Sequence, residues 1–209
     1  MMRILGIDPG SRLTGYGCID WDKNRASLVT HGTLRLANTS GKATVPLEER
    51  LLSIYEGLTR IIQEFRPQVM AVEKVFFAKN AVSALKLGQA RGAVILTGMI
   101  HQVKIAEYSP TEVKLAVVGH GQADKDQVAK MLQYMIGTQE FATSDASDAV
   151  ALAICHAHKM RAPLANASSD YAKALQSASE GRSKKKLSLA ESLGITTEQV
   201  VGRKRVTLR

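Results

Sequence analysis

The sequence predicts an α/β domain built on a mixed five-stranded sheet with helices on both faces. Three observations carry this expectation. Residues 3–36 read as three consecutive short strands, the segments after Pro46 alternate between helical and strand periods, and both patterns dissolve past Pro163. The 209-residue chain, 45% hydrophobic, thus divides into one domain over 1–162 and a basic, flexible tail over 163–209. A domain of that length buries enough apolar surface to fold without disulfides or structural metal.

The elements follow in order. Arg3 to Asp8 is a short apolar strand ending in the turn Asp8-Pro9-Gly10-Ser11, after which Leu13 to Asp20 resumes strand character and closes a hairpin. Ala26 to Leu36 alternates well enough for a third strand, and Asn38 to Lys42 is a polar loop. Pro46 opens a helix to about Phe65, with Leu47, Leu51, Ile54, Leu58 and Ile61 on one face. Pro67 breaks the chain before a buried strand over Val69 to Val75. A long helix rich in Ala and Gly spans Asn80 to Gln102, and a strand follows at Lys104 to Tyr108, ended by Pro110. Two helical segments, Thr111 to Val118 and Asp124 to Met135, flank the Gly119-His120-Gly121 loop, and a last helix runs from Ser144 to about Lys159. Beyond it, residues 165–186 are rich in Ala, Ser and Lys, while Leu187 to Val201 has the pattern of one amphipathic helix.

Composition narrows the function. The formal charge is +9, which favours a polyanionic partner because Lys and Arg on phosphates release condensed counterions. Nine Lys or Arg against four Asp or Glu over Ala165 to Arg209 place +5 of that charge in the tail. Cys18 and Cys155, far apart, make neither a disulfide framework nor a CxxC zinc site and suit a reducing cytosol. Met1 to Gly6 lacks a basic segment before a long apolar stretch, and the longest apolar run, Ala93 to Ile100, contains Thr97 and Gly98. A cytoplasmic protein without a membrane span is expected.

The positions of the acids are the informative feature. Asp8 ends the first strand, Glu73 interrupts an otherwise apolar one, and Asp145 and Asp148 stand three apart near a helix start, on one face. If the first and fourth strands are neighbours and the last helix packs over their ends, all four carboxylates converge. Such a cluster is tolerable mainly when cations neutralise it. Magnesium fits, being hard, oxygen-seeking and ready to exchange waters for phosphate. Two such ions about 3.5–4 Å apart stabilise the attacking and leaving oxygens of a phosphodiester hydrolysis. Each acid also has a plainer reading. Asp8 suits a turn, and Asp145 or Asp148 suits the first turn of a helix. Glu73 has no such alternative, because a carboxylate inside Val-Met-Ala-Val-Glu-Lys-Val-Phe-Phe is costly to bury without a partner or metal.

Five stretches together carry a resemblance: residues 4–11 (ILGIDPGS), 14–17 (TGYG), Val72-Glu73 with 76–80 (FFAKN), 83–92 (SALKLGQARG) and 145–149 (DASDA). In this order and spacing the chain, over roughly residues 1–160, resembles the RuvC crossover junction endodeoxyribonucleases. The resemblance implies an RNase H-like fold, a homodimer, and paired symmetric nicks across a four-way DNA junction that leave 5′-phosphate and 3′-hydroxyl ends in recombination and repair. It implies metal binding and catalysis by Asp8, Glu73, Asp145 and Asp148, with two Mg²⁺ per subunit or Mn²⁺ in their place, and RuvA and RuvB as partners. It further makes Phe76 an aromatic that stacks on an unpaired base, and places Lys114 and Lys125 near the scissile phosphate. Lys79, Lys86 and Arg91 become candidate backbone contacts.

The helix over Asn80 to Gln102 also carries Ala81, Ala84, Gly88, Gly92 and Ala93, small residues that permit close approach of a second helix. Lys74, beside Glu73, either alters phosphate contact or points to the other sheet face. His156, about 12 Å along its helix from Asp148, is too far to share a metal with it. Lys184-Lys185-Lys186 and Arg203-Lys204-Arg205 read as DNA-tethering arms or as a solubilising end. Two other classes compete: an actin-like or sugar-kinase-like ATPase, which needs two domains of this type where the length builds one, and a catalytically silent junction-binding protein, which would not need all four acids.

Overall fold

The computed structural model describes residues 1–36, 45–74, 80–137, 140–141 and 143–161. Phe76, Lys79, Val75 at the end of the fourth strand's expected span, the polar loop near residue 40 and the tail lie outside the described residues. Five strands and five helices occupy the described part: β1 (Met2–Asp8), β2 (Leu13–Asp22), β3 (Arg25–Arg35), α1 (Leu47–Phe65), β4 (Val69–Glu73), α2 (Ala81–Ile100), β5 (Lys104–Tyr108), α3 (Pro110–Val118), α4 (Lys125–Ile136) and α5 (Ser144–Arg161). Every expected element in this part is present, with ends displaced by a few residues. α2 stops two residues short of its expected end, at Ile100, where Gln102 takes a left-handed φ of 56°. The β2–β3 hairpin turns tightly through Lys23 and Asn24, both at positive φ.

The sheet order is β3-β2-β1-β4-β5. β1 pairs antiparallel with β2 and parallel with β4, which in turn pairs parallel with β5. The chain therefore leaves β1 toward one edge and returns to build the other, so that strand order reverses between β1 and β4. The carboxyl ends of strands at such a reversal form the crevice where open α/β sheets bind ligands.

Strand alternation sorts the side chains into two cores. Leu5, Ile7, Met70 and Val72 bury against Ile54, Leu58, Ile61 and Ile62 of α1 and Ala90 and Val94 of α2. Ile4, Ile19 and Ala71 face α5, α3 and α4, with Val113, Val117, Val128, Leu132 and the inner face of α5. Asp8 shares the parity of Ile4, and Glu73 that of Ala71, so both acids belong to the α5 side. Burying each of these aliphatic side chains contributes roughly 1.5–3 kcal/mol. Cys18 and Cys155 are buried and free, one in each core. Among the described residues no helix is long and apolar enough to cross a membrane.

α5 lies unusually close to the sheet. A Cβ added at Gly6 would stand 1.8 Å from the Ala149 carbonyl oxygen, and one at Gly15 would stand 2.0 Å from that of Asp145. Facing them, Ala146, Ala149 and Ala153 are fully buried. Only glycine on the strands lets the two backbones approach this far. Gly6→Ala is therefore expected to destabilise the protein by about 3 kcal/mol or more, because backbone rather than a flexible side chain must move. Urea unfolding checks this, and a midpoint equal to wild type would show that α5 tolerates displacement.

Candidate metal and phosphate centre

β1 and β4 bring the first two acids together. Ile7 is registered against Val72, so Asp8 and Glu73 follow as neighbours at adjacent strand ends. α5 supplies the other two from its first turns. The capping and turn-holding roles are taken by threonines, while Asp145 does lie in the first turn of α5. Thr143 Oγ1 accepts the N–H of Ala146 at 3.2 Å and caps the helix start, while the buried Thr14 donates to the Gly10 carbonyl at 3.0 Å and holds the turn after Asp8. Thr143 is also fixed to Thr33 of β3, Oγ to Oγ at 2.6 Å, which pins the start of α5 to the sheet.

Asp8, Glu73, Asp145 and Asp148 line one cavity of about 330 Å³, together with Lys114, Lys125, Pro110, Val113, Val128, Ala151 and Leu152. The convergence expected from the spacing of the acids is thus what the fold produces. Burial, then Glu73, then Asp148 and Asp145, push the Asp8 carboxyl up to about 8. Burial likewise raises Glu73, against the opposing pull of its hydrogen bond with Asp8. A proton shared within this pair is the simplest way to hold two carboxyl groups this close. Lys125 Nζ bonds Asp148 Oδ2 at 2.9 Å, and this contact raises the lysine pKa.

The donor set fits a hard divalent cation: four carboxylates, all oxygen, in a cavity where Lys125 offsets part of the charge. Among the described residues no three acidic, histidine or cysteine side chains are closed to ligand spacing as they stand.

The other candidates divide. Lys114 and Lys125 lie at the cavity, as expected from sequence. Lys86 is exposed on α2. Arg91 is half-buried and ion-paired with Glu107 of β5, so its guanidinium is committed to the sheet rather than presented outward. Lys74 is half-buried, donates its backbone N–H to the Tyr108 carbonyl at 2.8 Å, and does not line the cavity. Sequence reasoning set His156 aside on its distance from Asp148, and did not identify the contact between its Nδ1 and the Tyr108 hydroxyl at 2.6 Å. A strand tyrosine and a helix histidine 48 residues apart leave no signal in local spacing.

A mixed sheet in this order, with acids at the carboxyl ends of its two central parallel strands, defines the RNase H-like class of nuclease folds. The family model described as "Crossover junction endodeoxyribonuclease RuvC" matches residues 4–156, and the chain belongs to that family. A crossover junction endodeoxyribonuclease RuvC of Syntrophotalea carbinolica is 50% identical over 157 residues, covering 75% of this chain and 94% of that protein. Another from Methylococcus capsulatus is 51% identical over 158 residues, 76% of this chain and 92% of its own length. Among solved structures, T. thermophilus RuvC in complex with a Holliday junction substrate superposes with a TM-score of 0.70 at 32% identity, covering 77% of this chain and 96% of that one.

The raised Asp8 value fixes the sign of a pH effect. A carboxyl whose folded pKa is about 8 against an ordinary 3.8 stabilises the fold while neutral. That contribution is whole below about pH 4 and is lost as pH rises through 8. In metal-free protein, Asp8→Asn is expected to match wild-type thermal stability near pH 4 and to exceed it by several degrees near pH 9, since about 1 kcal/mol shifts Tm by roughly 2–4 °C at this size. Added Mg²⁺ is expected to raise the wild-type Tm and leave the variant's unchanged. A difference between variant and wild type that stays constant from pH 4 to 9 would refute the assignment.

Proposed function

We propose that this protein resolves four-way DNA junctions by metal-dependent hydrolysis of phosphodiester bonds, nicking two strands of like polarity symmetrically. The observation that carries the reading is the gathering of Asp8, Glu73, Asp145 and Asp148 with two lysines around one cavity. The ATPase and silent-binder alternatives are disfavoured by family membership and by the presence of all four acids in one site.

Asp8, Glu73, Asp145 and Asp148 would hold Mg²⁺, or Mn²⁺ in its place, as two ions. When bound, such ions lower the pKa of water and stabilise charge on both oxygens of an in-line displacement. The chain's own groups do the rest. Lys114 and Lys125 offset negative charge on the phosphate, and Lys125 is free to turn from Asp148 because an exposed ion pair is worth at most about 1 kcal/mol. Pro110, Val113 and Leu152 form an apolar wall that limits water at the reacting phosphate. The products carry 5′-phosphate and 3′-hydroxyl ends. Phe76, Lys79 and Lys86 serve as further DNA contacts, and Arg91 serves as a support for β5.

Residues 1–162 would form the nuclease domain and 163–209 a DNA-tethering tail, in a cytoplasmic protein working beside RuvA and RuvB. Glu73→Gln is expected to lower Mg²⁺-dependent cleavage of a synthetic four-way junction by at least about a hundredfold, while junction binding stays near wild type. Normal nicking by that variant, or equal cutting of a linear duplex by wild type, would overturn the reading.

Two nicks at symmetric positions need two centres, and α2 supports a homodimer. Val82, Leu85, Leu96 and Met99 are 60–65% exposed, and Gly88 and Gly92 between them face open space. Ala81 and Ala84 are exposed with them, whereas Ala93 packs partly into the core. The stripe has the 3–4 residue spacing of a helix-pairing face, and a contiguous apolar face of this kind marks an interaction site. Leu85→Glu is expected to convert the dimer to monomer in sedimentation and to replace paired nicks by single ones. A variant that remains dimeric would move the interface elsewhere.

A further inference from the structure

The polar contacts behind the cavity converge on one residue. Tyr108 ends β5 in register with Glu73, and its carbonyl accepts the Lys74 N–H at 2.8 Å. Its backbone thus fixes the strand end that carries Glu73. Its side chain has the parity of Ala106, faces α5, and is 8% exposed. There its hydroxyl meets His156 Nδ1 at 2.6 Å, two turns beyond Asp148 on the same helix. The next residue, Ser109, caps α3, whose Pro110 and Lys114 line the cavity.

The His156 side of the contact is kept at some expense. When the phenol donates to Nδ1, the ring proton sits on Nε2, which is buried without a partner among the described residues. An unpaired buried N–H opposes folding, so an aliphatic side chain would serve packing better. Burial lowers the His156 pKa and keeps the ring neutral, the state in which Nδ1 accepts. The surroundings are held in turn. Lys159, one turn on, pairs with Glu112 and lies 5.4 Å over the Tyr108 ring, and Cys155 Sγ donates to the Glu112 carbonyl at 3.6 Å. Burial opposes ionisation of Glu112, but Lys159 and the N–H and hydroxyl of Ser109 hold its carboxyl at about 2.

We propose that Tyr108 is a positioning residue of the nuclease centre, setting Glu73 through its backbone and the height of α5, hence Asp148, through the hydroxyl contact with His156. This rests on the reading of the four acids as cation ligands. Neither Tyr108 nor His156 lines the cavity, so their effect reaches the reaction only through the spacing of the acids.

The test uses the full chain, a synthetic four-way junction and a Mg²⁺ titration. Tyr108→Phe keeps the ring and removes the hydroxyl. It is expected to raise the Mg²⁺ concentration for half-maximal cleavage about tenfold, the scale seen when a group orienting a metal ligand is lost, with metal-free junction binding unchanged. His156→Leu should do the same, and the double variant should be no worse than either single one, because both remove one interaction. Ile54→Val, in the core on the other face of the sheet, supplies a general loss of stability and should leave half-saturation unmoved. Wild-type half-saturation in Tyr108→Phe, additive effects in the double variant, or an equal rise in Ile54→Val would each overturn the proposal. Glu73→Gln in the same assay separates the two readings. If it still cleaves, the metal-site reading fails; if it is inactive while Tyr108→Phe titrates as wild type, only the positioning role fails.

Discussion

The centre depends on the direct seating of α5 on the backbones of β1 and β2. Glycines at 6, 15 and 17 on the strands face Ala149, Asp145 and Val150 on the helix, and any Cβ on the strand side would overlap helix atoms. Close-packed interiors transmit such an overlap as displacement. Because Asp145 and Asp148 ride on the first turns of this helix, their distance from Asp8 and Glu73 depends on the absence of side chains at these three glycines. The hydroxyl contact between Thr33 and Thr143 and the capping of α5 by Thr143 fix where along the sheet the helix begins.

That packing creates an electrostatic conflict. Four carboxyl groups are drawn into one half-buried pocket, and the strain is recorded in the raised values of Asp8 and Glu73. The raised Asp8 carboxyl favours its neutral form at one end of the cluster, and Lys125 pairs with Asp148 at the other. Both devices are weak and replaceable: the proton leaves with rising pH, and the lysine ammonium is largely exposed. A divalent cation that displaces them gains the attraction of every acid at once. On the proposed reading of these acids as cation ligands, affinity for metal would be stored in the fold as repulsion among them.

How much of this the sequence disclosed depends on the range of each interaction. The order and type of the described elements were legible, because alternation and helical period are local properties of burial. Glu73 was legible because a carboxylate in an apolar strand opposes folding unless a cation or a proton neutralises it. Asp145 and Asp148 were ambiguous because a helix start suits acids on its own account; Thr143 takes the cap, and Asp145 lies in the first turn. Arg91 read as a candidate phosphate contact from the resemblance and as ordinary surface charge from its spacing; its ion pair with Glu107, on a strand 16 residues on, left no signal in either reading. The His156–Tyr108 contact was invisible for the same reason, spanning a register that no pattern within either segment encodes.

The same alternation that aims the acids at α5 leaves the opposite face of the sheet to α1 and α2. Asp8 and Glu73 project to one side of the sheet, whereas the apolar stripe of α2 belongs to a helix packed on the other. A second copy docked on α2 would therefore leave each cavity open, and a two-fold axis through that stripe would present two centres to one substrate. A junction with two equivalent strands to cut calls for that arrangement: a single centre would release the nicked product before the second strand was engaged, while paired centres hold both strands throughout. On the proposed reading, the period-two geometry of five strands would separate assembly from chemistry and let one small domain support both.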